Sequence, residues 1–102
     1  MLNYETTTER NDDGLLPRFL TLLGTIVCSA LMMLDKQGNA VVIQLDTPKE
    51  HRGNGYAKEM LRLIGTRDTD KELRVISTST ALGYYRKLGY TELCPHIFTT
   101  TY

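Results

Sequence analysis

The sequence predicts a single α/β (α+β) domain over residues 1–102, a mixed, twisted sheet with helices on both faces. Three observations carry that prediction. Two apolar, β-prone runs, Thr25 to Leu34 and Ala40 to Thr47, flank the turn cluster Asp35-Lys36-Gln37-Gly38-Asn39, which reads as a hairpin. From Gly55 the apolar period changes from two to 3.6, with Ala57, Met60, Leu61 and Ile64 at i, i+3, i+4 and i+7 of a helix. A third run, Leu73 to Ser77, completes a strand, helix, strand unit whose right-handed crossover sets its two strands parallel.

Before the hairpin, the first dozen residues mix β-prone chemistry around Tyr4 with many polar groups, as an edge strand or a loose end does. Asp12 and Asp13 suit the start of a helix, and Leu16, Phe19, Leu20 and Leu23 follow at helical spacing. Pro17 confines that helix to its first turn or delays it, and Gly24 closes it. The Val41-Val42-Ile43 run implies burial on both faces of its strand. Ser79 or Thr80 can cap a last helix carrying Ala81, Tyr84, Tyr85 and Leu88 along one side, and Gly89 can take the left-handed stop. Tyr90 to Leu93 and Ile97 to Tyr102 remain as short strands around the Cys94-Pro95 break.

A chain of 102 residues supports one core and not two. The longest apolar run, near Ile26 to Leu34, is too short and interrupted to span a bilayer, so no membrane partner is expected. Met1 to Asp13 is polar and acidic, unlike a secretory leader, which makes the expected location cytoplasmic. Cys28 and Cys94 then read as two buried thiols, and with His51 and His96 they form no metal set. Residues 1–47 hold three basic against six acidic side chains, and residues 48–102 hold nine against six. The basic surplus lies in the half carrying the glycine turn, as a polyphosphorylated ligand favours, but it is too slight for a nucleic-acid surface.

That turn, His51-Arg52-Gly53-Asn54-Gly55-Tyr56-Ala57, sits where a buried strand passes into an amphipathic helix. Glycines there let backbone N–H groups converge on an anion with no side chain between, and the helix dipole, Arg52 and Lys58 add positive charge. The spacing is neither that of a Walker A loop nor Gly-x-Gly-x-x-Gly. Taken alone, Gly53-Asn54-Gly55 would more often be a plain turn. Its neighbours change that weighting, because Ala81-Leu82-Gly83-Tyr84-Tyr85-Arg86-Lys87-Leu88-Gly89-Tyr90 follows one strand later.

In that order the two segments resemble the motifs of the GNAT superfamily of N-acetyltransferases. Arg52 to Ala57 matches Arg/Gln-x-x-Gly-x-Gly/Ala, and Ala81 to Tyr90 matches Ala-x-x-Phe/Tyr-Tyr-x-Lys-x-Gly-Phe/Tyr. The resemblance covers about residues 25–93 and implies a short member with a reduced N-terminal region. It implies a V-shaped cleft between two central parallel strands ending near Thr47 and Ser77, holding acetyl-CoA. In that likeness the backbone of Leu45 and Thr47 pairs with the pantetheine arm. Arg52, Gly53, Asn54, Gly55, Tyr56, Ala57 and Lys58 hold the pyrophosphate, Thr78 stands where the family often has an asparagine, and Tyr85 is the general acid that protonates the CoA sulfur.

The implied reaction is direct attack of a primary amine, on a protein or a small molecule, upon acetyl-CoA. Such an amine has a reference pKa of about 10.4 and needs a base or a dry site to lose its proton. The family's usual glutamate is missing from Ala40 to Leu45, so Asp46, Glu50 or a water chain stands for that role. Two further possibilities stay open: a homodimer whose second subunit completes the acceptor side, and a non-catalytic CoA-binding or protein-interaction module of the same fold.

Overall fold

A computed structural model of the chain describes residues 1–102. Strands β1 (Leu2–Thr6), β2 (Leu16–Leu22), β3 (Thr25–Leu34) and β4 (Ala40–Asp46) form an antiparallel meander. Helix α1 (Tyr56–Leu63) runs into one π-helical turn, Ile64–Asp68, and leads to β5 (Leu73–Ile76), which lies parallel to β4. Helix α2 (Leu82–Lys87) precedes β6 (Thr91–Cys94) and β7 (Ile97–Thr100), giving a seven-stranded sheet of order β1-β2-β3-β4-β5-β7-β6. The mixed α+β fold, its hairpin and its parallel crossover pair are those the sequence predicts.

The helix expected from Leu16 to Leu23 is instead β2. Leu16, Arg18 and Leu20 alternate with less buried neighbours, and the strand pairs with β1 on one side and β3 on the other. Ladder bonds and one buried face outweigh a helical spacing of leucines. Pro17 is tolerated because it lies just beyond the last β1 pair, Thr6 with Arg18, where the strand has a single neighbour. Gly24 therefore closes no helix. Leu23 and Gly24, at φ 51° and 80°, form the two-residue turn between β2 and β3.

Paired residues of neighbouring strands share a face, and one face carries the core: Leu16, Leu20, Met32, Val42, Val75 and Phe98 are all buried. Helix α1 packs Met60, Leu61 and Ile64 there, and α2 sets Tyr85 against Phe98 with ring centroids 5.6 Å apart. Both helices thus cover the same face, which differs from the expected placement on two. The reason is local: residues 7–15 connect β1 to β2 without a helix.

Gly89, at φ 86°, ends α2 as expected. Ser79 and Thr80 do not cap that helix. They belong to a 3-10 turn, Ser79–Ala81, which feeds Leu82 directly into helical geometry, with no side-chain capping bond. The thiols also differ from expectation, since Cys28 is buried under the sheet but Cys94 is exposed on the edge strand β6.

Candidate active site

The parallel pair β4 and β5 is short. Only Ala40, Val41 and Val42 pair with Leu73, Arg74 and Val75, whereas β4 continues to Asp46 held by β3 alone. On the other side the chain turns away, with the Ser77 N–H donating to the His96 carbonyl at 2.7 Å. The strands therefore part beyond Val42 and Val75, and a cleft of about 550 Å³ opens at their ends.

Leu45, Asp46 and Thr47 form its β4 wall, and the glycine turn with Tyr56 and Ala57 forms its floor at the start of α1. Gly53 and Gly55 have φ of 84° and 78°, a region that only glycine enters cheaply, and a Cβ on either would meet nothing within 4 Å. The conformation requires glycine, and the space beside the turn stays open. The first helical bond runs from the Glu59 N–H to the Gly55 carbonyl at 3.0 Å, so the N–H groups of Tyr56, Ala57 and Lys58 have no backbone partner. Arg52 folds back, its Nε donating to the Thr47 carbonyl at 3.0 Å, which fixes a cation between turn and strand end. Asn54 braces the turn by donating from Nδ2 to the His51 carbonyl at 3.0 Å.

Thr80, Ala81, Tyr84 and Tyr85 supply the opposite wall. Tyr85 is only 4% exposed, its ring tilted against Tyr90 and Phe98. Its hydroxyl makes no hydrogen bond within the protein, and it is not among the fully occluded polar atoms, so it borders the cleft. Burial, with the neighbouring Tyr84 and Cys28 adding to it, pushes this phenol up to about 12. Burial likewise raises Tyr84, which remains 39% exposed. The adjacent tyrosines divide as helical geometry requires, one into the core and one outward.

Of the residues singled out from sequence, Leu45, Thr47, Arg52, Gly53, Gly55, Tyr56, Ala57 and Tyr85 line this one cleft. Three do not: Asn54 is turned to the turn's own backbone, Lys58 is exposed on α1, and the Thr78 hydroxyl meets that of Thr80 at 3.2 Å. Thr80 reaches the cleft in place of Thr78. Asp46 lines it and Glu50 does not. His51, edge-on to Tyr56 with centroids 6.4 Å apart, is a further wall residue, one that its place in the turn sequence does not single out.

No family model matches the sequence, and no curated protein matches it. Solved structures do. The AtaT Y144F mutant toxin bound to the C-terminus of the antitoxin AtaR superposes with a TM-score of 0.68 at 9% identity, over 97% of this chain and 92% of that one. The same toxin has also been solved with acetyl-CoA. The IAA acetyltransferase of Bacillus cereus ATCC 14579 gives 0.66 at 13% identity, over 92% and 79% of the two chains. A protein of Xanthomonas campestris pv. campestris assigned to the GNAT family gives 0.60 at 28% identity, over 78% of this chain and 58% of that one. What these share with the present chain is the fold.

Proposed function

We propose that this chain, which has the fold of the GNAT acetyltransferases, binds acetyl-CoA in the β4/β5 cleft and transfers its acetyl group to a primary amine. The observation that carries the reading is the parting of β4 and β5 with a left-handed glycine turn on one rim and a buried, protonated phenol on the other. Neighbouring structures of this fold include one solved with acetyl-CoA, which supports the same ligand here.

In this reading the pyrophosphate lies against the free N–H groups of Tyr56, Ala57 and Lys58 with Arg52 beside it. The unpaired edge of β4 from Ile43 to Thr47 offers backbone groups to the pantetheine arm, as an added strand would. The amine nitrogen attacks the thioester carbonyl, its lost proton passing to Asp46 or to water. As the carbon–sulfur bond breaks, Tyr85 gives its proton to the departing thiolate. A positioned general acid of this kind contributes about 10² to 10⁴ in rate.

Titration calorimetry with CoA and acetyl-CoA, followed by mass spectrometry of a peptide and amine panel, tests the proposal. Saturable binding and a product heavier by one acetyl group are expected. Binding without product would favour the non-catalytic module, and absence of binding would overturn both readings.

A further inference from the structure

The sheet face opposite the helices carries Pro17, Phe19, Leu31, Met33 and Val41 with no element laid over them. All five are half-buried, and none belongs to the core cluster or to the side chains packed on it. The residues alternating with them, Leu16, Leu20, Met32 and Val42, are at most 9% exposed. A depression of about 210 Å³ among Pro17, Phe19, Leu31 and Gln44 marks the centre of this bare face.

Its charges are placed in opposition. Ser29, two residues before Leu31 on β3, pairs with Phe19 and through it with Glu5 on β1, whereas Met33, two residues after Leu31, pairs with Val41 and through it with Arg74 on β5. Glu5 and Arg74 thus stand two strands out on either side and are displaced in opposite senses along the strands. A two-fold axis lying in the plane of contact beside Leu31 exchanges them. Arg74 has a further peculiarity: its Nε is the chain's single occluded side-chain nitrogen or oxygen without a hydrogen-bond partner, and its carboxylate neighbour, Glu72, is 3.7 Å from a different nitrogen. The Nε itself is closed to a partner, but the side chain is a third exposed and its guanidinium end makes no hydrogen bond within the chain, so it can donate to a carboxylate from outside.

We infer that this face binds a second copy of the chain, sheet to sheet, with Phe19, Leu31, Met33 and Val41 at the centre and Glu5 of each copy meeting Arg74 of the other. Two sheets pack face to face about 10 Å apart through interdigitating apolar side chains, which is what the bare face presents. A self-complementary arrangement of opposite charges is what an isologous dimer requires, whereas a foreign peptide would need only one of them. Asp46 ends the row Glu5, Phe19, Ser29 on the same face, so the second copy also walls one side of the cleft mouth. The dimer itself does not depend on the acetyltransfer reading.

Sedimentation velocity on the full chain, over about 1 to 100 µM, tests the inference, since contacts of this class hold at such concentrations. A dimer is expected. Glu5→Arg and Arg74→Glu should each weaken it by roughly tenfold or more, because each places like charges together twice per dimer, and the double exchange should restore it to within about threefold. Leu31→Lys should give a monomer with an unchanged circular dichroism spectrum. If that variant fails to fold, the surface charge exchanges still decide the matter. A wild-type monomer at the highest concentration, or a dimer indifferent to both exchanges, would overturn the inference.

Discussion

A phenol serves as a proton donor only while it keeps its proton, and the surroundings of Tyr85 secure that. Burial pushes it up to about 12, so between pH 7 and 9 it is neutral and faces the cleft with a hydroxyl that nothing in the protein holds. Tyr85→Phe removes that hydroxyl and keeps the ring on Phe98 and Tyr90. Turnover should fall by about 10² or more while CoA affinity, measured by calorimetry, stays within about twofold. Undiminished turnover at saturating substrate would remove Tyr85 from the reaction. Gly55→Val acts on the other rim. At φ 78° a β-branched residue costs about 1–2 kcal/mol, and its Cβ enters the open space beside the turn. The expected result is a folded domain of lower melting temperature with CoA binding lost, and retained affinity would mean that the turn is only a connection.

Among the elements, the β2/β3 hairpin is the clearest case of local chemistry at odds with its position. Its turn needs two positive φ values and supplies them with Leu23 and Gly24, although Asn-Gly is the pair that such a turn favours. Leu23 is 88% exposed, so it gains no packing for its strain. Leu23→Asn should raise stability by about 0.5–1 kcal/mol, read as a melting temperature higher by a few degrees. This hairpin also shows why part of the fold was illegible. Strands β3 and β4 and helix α1 announce themselves because their periodicity, turn residues and β-branched content agree. In β2, Leu16, Phe19, Leu20 and Leu23 mimic a helix, and only pairing with β1 and β3 makes it a strand. The cleft divides in the same way. Its glycine rim is written locally, in residues that need positive φ, whereas Thr80 and Tyr84 enter the wall through the path of the chain after β5, which no spacing encodes.

At the scale of the whole molecule, phenols from distant segments are drawn toward the one covered face. The Tyr4 hydroxyl on edge strand β1 donates to the Asp68 carboxylate, which Arg18 also grips at 3.1 Å, tying β1 and β2 to the turn after α1. Tyr90, just beyond α2, shares a hydroxyl contact of 2.6 Å with Tyr102. Burial is the first cause raising Tyr4, Tyr85 and Tyr90 above the ordinary value of 10.0, and for Tyr4 the Asp68 carboxylate adds to it. The folded state therefore keeps protons that the unfolded chain releases near pH 10. The unfolded state then binds fewer protons, so the stability these phenols contribute is fully present below about pH 10 and declines as pH rises above it. Each such phenol contributes a slope of up to ~1.4 kcal/mol per pH unit. Urea unfolding at intervals from pH 8 to 11 should give a nearly flat free energy as far as about pH 8.5, a first decline near pH 9 where the unfolded chain loses the Cys28 proton that burial retains, and a steeper fall beyond about pH 9.5. In the Tyr85→Phe, Tyr90→Phe double variant that fall should be shallower, because two of the four raised phenols, Tyr4, Tyr84, Tyr85 and Tyr90, no longer take part. An equal slope in variant and wild type would place the alkaline sensitivity in groups other than these tyrosines.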